Sequence, residues 1–387
     1  MGTPRRAGAP AAFAAVLLAV VVAAACGGNP PTITGSHSPG ATPSASGVPS
    51  AQASASPSAG QATPSSSPAP PPVTGAYGVL VSPVSAANYT VSIVGVDGKV
   101  AASAQTTSPT SVTCANAAAA VVPLPVSTSN SRVYYMDSQG VVRFLGPKGD
   151  TGRATTVPIG SARRSAFSVS PDDQRIAVVV EDFTSSGAAT RLYVEDLNGG
   201  GNHADLFTET GAYSLWPIGW HGANNLVLAK VASCTQGGGP FCCGPLELHV
   251  VDPTTAARRF TIGGPNCVIV GSATPAGEVC EDTPNFTKAT VLSWTAAVTR
   301  TIAITQPAYA YVSPGGGAVA LVDNTGTTII GTTRSLAGLF ACTWIDDTHL
   351  LGGGDSQHQP RVGDVSTGTM APVPAQGDCA GRLPGGL

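Results

Sequence analysis

Two pairs of adjacent carboxylates, Asp172-Asp173 and Asp346-Asp347, are the first candidates for chemistry in this chain. Paired carboxylates can move protons or hold a cation. Both pairs fall between short apolar runs, however, where aspartate caps turns. The six histidines (His37, His203, His221, His249, His349 and His358) show no HExxH or other tight ligand spacing. No GxSxG nucleophile elbow, phosphate-binding loop or DxDxDG calcium loop occurs. The densest aromatic and basic group is Tyr213, Trp216, Trp220, His221, Arg258 and Arg259. Such residues dominate binding hot spots, so these six form the candidate recognition surface, with packing between elements as their plainer duty. No catalytic residue, metal or cofactor is assigned.

Cysteine is the other reactive type. Cys26 stands apart near the N-terminus, and Cys114, Cys234, Cys242, Cys243, Cys267, Cys280, Cys342 and Cys379 follow it. An even number in an exported chain points to disulfides, four in this case. Cys234, Cys242 and Cys243 share one glycine-rich stretch, CTQGGGPFCC. Zinc there would need a tetrahedral ligand set, and the nearest histidine, His249, sits inside an apolar run. A loop staple plus one longer bridge is the preferred reading.

The elements that hold these residues follow from composition. The chain has 387 residues, of which 11% are charged, against roughly 25% in an average globular protein. Gly 47, Pro 33 and a scarcity of charge exclude coiled coils and helical bundles. A net charge of −3 gives no electrostatic footprint for nucleic acid. A Gly/Val/Thr-rich, secreted β protein remains. The Ala/Gly/Pro/Val-rich, Lys-poor usage looks like that of a high-GC actinobacterium.

The N-terminus reads as an address. Arg5 and Arg6 precede an apolar stretch, Ala11 to Ala25, too short to span a bilayer at about 20 residues. Ala23-Ala24-Ala25-Cys26-Gly27 resembles the lipobox of bacterial lipoproteins, with Ala23 where an aliphatic residue is usual. The resemblance implies cleavage after residue 25 and acyl chains, such as palmitate, on Cys26. Two or three chains, at about 0.8 kcal/mol per buried methylene, would anchor the protein stably on the outer face of the cell membrane. Residues 26–74 are Ser, Pro, Ala, Gly and Thr with little else. They cannot offset their ordering entropy, and are expected to be a disordered tether about 40 Å long or more.

From residue 75 to 387 the texture is a repeat. In 166–209 it gives AFSVSPDD, RIAVVVED, TRLYVEDLNGG and HADLFTE, four strands with tight turns. The second of these strands recurs near Val79, Tyr134, Val178, Val227, Cys280, Ala320 and Leu351. A four-stranded unit every 40–50 residues or so predicts an all-β, β-propeller fold, with two packed β-sandwiches as the rival. Seven blades are expected. Six remain open, because the unit from Gly315 to Phe340 is short. The first blade lacks an initial strand, and the tail after Met370 is expected to supply it. That closure would bring Cys379 within reach of Cys114 or Cys342. The first strands include AVVPLPV, AFSVS, LWPIGW, VIVGSA and AYVS, almost without ionisable groups, which counts against catalysis in a central channel.

Ser168 to Ala177, SVSPDDQRIA, resembles the blade motif of TolB-like and WD-repeat-like propellers, with Asp173 at the usual glycine position. Tyr311 to Ala320 is a looser copy. The resemblance implies the fold and, by analogy, a propeller face used for protein contacts. A scaffold or accessory factor of the cell envelope is therefore the leading expectation, with an envelope protein as partner. A propeller enzyme, a small-ligand binder or a cell-wall glycan binder is the alternative.

Overall fold

Valine and isoleucine suit a pleated surface, and unbroken runs of them suit strands covered on both faces. Seven strands, from the valine-rich RIAVVV to the leucine-bearing HLLG, are the second strands of seven antiparallel four-stranded sheets set in a ring, a β-propeller. The computed structural model describes residues 70–114, 119–184, 187–235, 245–305, 308–332, 334–354 and 358–387. The signal segment 1–25, Cys26, nearly all of the tether, His37, Cys242 and Cys243 lie outside the described residues.

Blade 2 runs from Val126–Thr128 to Thr151–Thr156, and blade 3 from Arg163–Val169 to Ala204–Gly211. Blade 4 spans Tyr213–His221 to Arg258–Gly263, and blade 5 Cys267–Ile269 to Val298–Ala303. Blades 6 and 7 begin with Tyr309–Val312 and Ala341–Trp344. Blade 6 is complete, its outer strand reduced to Ser335–Ala337, so the short repeat unit is a blade and the ring has seven. Blade 1 is composite. Its strands Tyr77–Val81, Asn88–Gly95 and Val100–Thr107 take their innermost neighbour from Asp378–Leu383, with Tyr77 opposite Leu383 and Val81 opposite Asp378.

One strand lies elsewhere than the sequence suggests. Ala120–Val126 reads as the inner strand of blade 2, but Pro123 and Pro125 cannot donate to a ladder. The inner strand is Val126–Thr128, and Ala119–Ala120 pairs instead with Cys234–Thr235.

Each junction between blades has its own apolar cluster. Tyr134, Met136 and Val142 of blade 2 meet Phe167, Val178 and Val180 of blade 3. Leu80 and Val94 of blade 1 meet Ile345 and Leu351 of blade 7. Each such side chain contributes about 1.5–3 kcal/mol by leaving water. Inner-strand tryptophans add a polar tie. Trp220 Nε1 donates to Ser168 O of the preceding blade at 3.1 Å, and Trp344 Nε1 to Tyr311 O at 2.9 Å.

Turns joining first to second strands lie on one face, termed lower, and connections between blades on the other, termed upper. On the upper face Cys114–Cys234 ties the segment before blade 2 to blade 4, beside Phe183 and Ala188 of the long blade-3 hairpin. Cys267–Cys280 lies within blade 5. Cys342–Cys379 joins blade 7 to the strand that closes blade 1, one of the two partners expected for Cys379. Replacing Cys342 and Cys379 by serine should lower stability by about 2–5 kcal/mol. Hydrogen exchange should show amides 378–383 losing protection first. Uniform loss around the ring would show that the bridge does not guard the closure.

Candidate functional site

The inner strands surround a channel of about 1520 Å³. Its lower mouth is crossed by the residues that follow the closing strand. Gly385 N donates to Ser129 O of blade 2 at 2.6 Å, and Leu387 N to Trp220 O of blade 4 at 2.7 Å. His221 Nδ1 donates to the Leu387 backbone oxygen. The Leu387 side chain packs on the blade 4–5 core beside Ile218. Gly219 makes room for it, since a Cβ there would lie 2.6 Å from the leucine methyl.

The upper mouth differs. Tyr213, Leu246, Tyr309 and Phe340 are 52%, 46%, 50% and 36% exposed and all four line the channel. Each stands at the upper end of a strand in blades 4, 6 or 7. Below Tyr213, Lys230 Nζ lies 4.6 Å from its ring centroid and 3.1 Å from Glu247 Oε1. His249 Nε2 donates to the same oxygen at 2.9 Å. Those bonds hold Glu247 ionised, below the usual carboxylate range, although partial burial opposes them.

Two further carboxyls, Glu278 and Glu281 of blade 5, line the channel while only 2% and 1% exposed. Burial pushes Glu278 up to about 8 and Glu281 up to about 7. Glu278 Oε1 accepts from Val279 N at 2.9 Å, and Glu281 Oε1 from Ala308 N at 3.2 Å. Both lie on the second strand, Glu278–Asp282, yet reach the channel. The inner strand of blade 5 is only three residues, Cys267–Ile269, and Gly271 beyond it carries no side chain. A Cβ on Gly271 would sit 3.2 Å from Glu278 Oε1 and 2.1 Å from Ala310 O.

The sequence-derived recognition group is distributed differently. Trp220 is wholly buried between blades, and Trp216, packed in the blade 4–5 core, shows only an edge to the channel. Tyr213 stands at the upper mouth, and His221 at the lower one under Leu387. Arg258 is exposed on the outer strand. Arg259 is spent on Asn224 O at 3.0 Å, Asn225 Oδ1 at 2.8 Å and the Asp252 carboxylate. Only Tyr213 of the six joins the exposed apolar side chains. The paired carboxylates are structural. Asp172 caps its own turn through Gln174 N, and Asp173, at φ 59°, accepts from Ser131 Oγ and Tyr134 OH of the preceding blade. Asp346 accepts from Thr348 N and His349 N, while Asp347 reaches back to Gly315 N at 2.6 Å.

Sequence reasoning passed over Glu278 and Glu281 because it looked for ionisable groups on first strands. The signal was present: EVCED places two glutamates in a strand whose counterparts, such as AVALVD and NLVLAK, hold apolar residues at most of the matching places. Among the described residues no group of three or more His, Cys, Asp or Glu stands close enough to hold a metal ion. Cys234 is committed to its bridge with Cys114.

No family model and no curated protein matches the chain. Solved structures do. BamB from Moraxella catarrhalis aligns at 15% identity and TM-score 0.36, covering 81% of this chain and 83% of its own. Apo AztD from Citrobacter koseri aligns at 11% and 0.44, covering 80% and 98%. A chain of the mitotic checkpoint complex aligns at 12% and 0.42, covering 67% and 80%. At identities and scores this low they bear on neither ligand nor partner.

Two measurements test this geometry. Gly219→Ala should push Leu387 out of its seat and speed amide exchange at 385 and 387, with the core melting temperature little changed. Unchanged exchange would show that the tail is held by its backbone bonds alone. The second concerns Glu181, fully buried in blade 3 and raised to about 8 by burial, against Ser214 and Leu215, which favour ionisation. The folded chain keeps a proton there that the unfolded chain releases above the ordinary glutamate value of 4.5. Its contribution therefore lowers stability as pH rises from 5 to 8, by up to about 1.4 kcal/mol per pH unit. Glu181→Gln should gain on wild type over that range. A flat difference between the two melting curves would show Glu181 ionised in the fold.

Proposed function

We propose that the protein is a lipid-anchored, extracytoplasmic propeller that holds a protein partner at its upper mouth, as a scaffold or accessory factor of the cell envelope. The concentration of exposed large apolar side chains at that mouth carries the reading. Tyr213, Leu246, Tyr309 and Phe340 line one opening of the channel, while the other is crossed by residues 385–387. Large apolar side chains grouped in the open mark interaction sites, and tyrosine and phenylalanine bury much area at little entropic cost. The lipobox-like residues 23–27 and the charge-free tether support the address.

A second reading, a small-ligand or glycan binder within the channel, draws on Glu278 and Glu281. Buried carboxyls in a cavity of this size are what a ligand pocket uses for orientation.

Crosslinking in intact cells, followed by purification of the tagged protein, should recover one stoichiometric envelope protein. The double change Tyr213→Asp and Tyr309→Asp should abolish that capture with no more than about 1 kcal/mol lost in stability, since both residues are half exposed. Capture should survive replacement of Cys26 in a form held to the membrane by other means. Glycan or a small ligand recovered in place of a protein would overturn the scaffold reading in favour of the second.

A further inference from the structure

Half of the charged groups lining the channel are matched by side chains among the described residues. Lys230 is paired with Glu247, and Asp323 Oδ1 accepts from Thr325 N and Oγ1 at 2.7 and 2.6 Å. Arg382, on the closing strand, forms no ion pair among the described residues; burial lowers it, opposed by the charges of Asp347 and Asp346 of blade 7. Glu278 and Glu281 are the carboxyls left without a cation. Each spends one oxygen on a backbone N–H, and neither forms an ion pair or hydrogen bond with a cationic side chain among the described residues. The charged or titratable groups that act on them are Tyr311 from blade 6 on the glutamate at 278, and Asp282 on that at 281. Among the described residues neither carboxyl has a second donor, and both line the channel. Three positions apart on a strand, about 10 Å along it, they leave opposite faces of the sheet and reach the channel from its two sides. Above them stand the rings of Tyr309 and Phe340.

We propose that this wall of the channel receives a basic side chain, lysine or arginine, presented by the protein partner on an apolar or aromatic flank. The inference rests on reading the upper mouth as the partner face, and it names the chemistry recognised there. Aromatic faces attract a cation as it sheds water, and a buried carboxylate then pairs with it. An anionic or purely apolar insert would leave the two glutamates without a partner. A basic insert displaces the proton of the carboxyl it pairs with and leaves that charge matched. Residues 385–387 cross the lower mouth, so the basic group enters past the aromatic rim.

The test uses the full chain and two blocked tetrapeptides, acetyl-Gly-Phe-Arg-Gly-amide and the same peptide with citrulline for arginine. Calorimetry should show the arginine peptide binding at least about tenfold tighter, the worth of one hydrogen-bonded charge. The advantage should grow as pH rises from 6 to 8.5, because the glutamates shed protons while guanidinium stays charged. Glu281→Gln or Glu278→Gln, near-isosteric with the protonated acid, should erase most of the gap without altering the melting temperature at pH 6. Equal binding of the two peptides, no binding of either, or a gap that survives both substitutions would overturn the proposal. Free arginine amide binding as tightly as the peptide would overturn the partner as its source. Partner capture in cells that survives Glu278→Gln and Glu281→Gln, yet is lost with Tyr213→Asp and Tyr309→Asp, would sink this inference alone and leave the scaffold reading standing.

Discussion

Every blade in this ring must bury both of its faces, and none can do so by itself. A four-stranded blade with valine and isoleucine on both sides is insoluble as a unit. It becomes stable only when flanked by two others, and seven blades satisfy that condition when the seventh meets the first. The apolar clusters follow the rule one by one, each drawing from two neighbouring blades. The scarcity of charge in the chain is a consequence, because surface is left mainly at turns, rims and outer strands. The carboxylates at the turns serve the same ring, with Asp173 and Asp347 each reaching to the blade before.

Closing a ring leaves a hole, and the two ends of that hole are chemically unlike. Below, a backbone segment lies across it, bonded to blades 2 and 4. Above, side chains that a packed core would absorb stand in the open. The difference comes from connectivity. Lower turns are short and capped by Asp, Ser and Thr, so they carry few large residues. Upper connections between blades lead straight into the inner strands, so Tyr213 and Tyr309, each the first residue of its strand, fall at the rim. The carboxyls of blade 5 reach the channel for a related reason, a short inner strand followed by a glycine.

The architecture was legible in the residues because its cause is local and repeated. RIAVVV and NLVLAK identify themselves as strands covered on both faces, and Tyr77 identifies a blade lacking its inner strand. The site was much less legible. Trp216 and Trp220 look like recognition residues in the sequence, because aromatic residues serve packing and binding alike; only burial tells the two apart. Phe340 and Leu246 carry no such signal, since nothing nearby in sequence shows that they end at one rim. Pairing Cys114 with Cys234 needed knowledge of which loops share a face, across 120 positions. The displaced inner strand of blade 2 was within reach, since two prolines announce it.

Strand order within blade 1 also sets a timetable. Tyr77–Val81 emerges early and its inner neighbour, Asp378–Leu383, arrives nearly three hundred residues later. At about 5–20 residues per second of synthesis, that hydrogen-bonding edge stands open for roughly 15–60 s. An open apolar edge is a template for pairing with other chains. The contact that completes the ring is also among the most distant in sequence, the kind that forms slowly. Misassembly is therefore most dangerous at blade 1. A cell producing this protein has reason to keep partly made copies apart until the last strand is home.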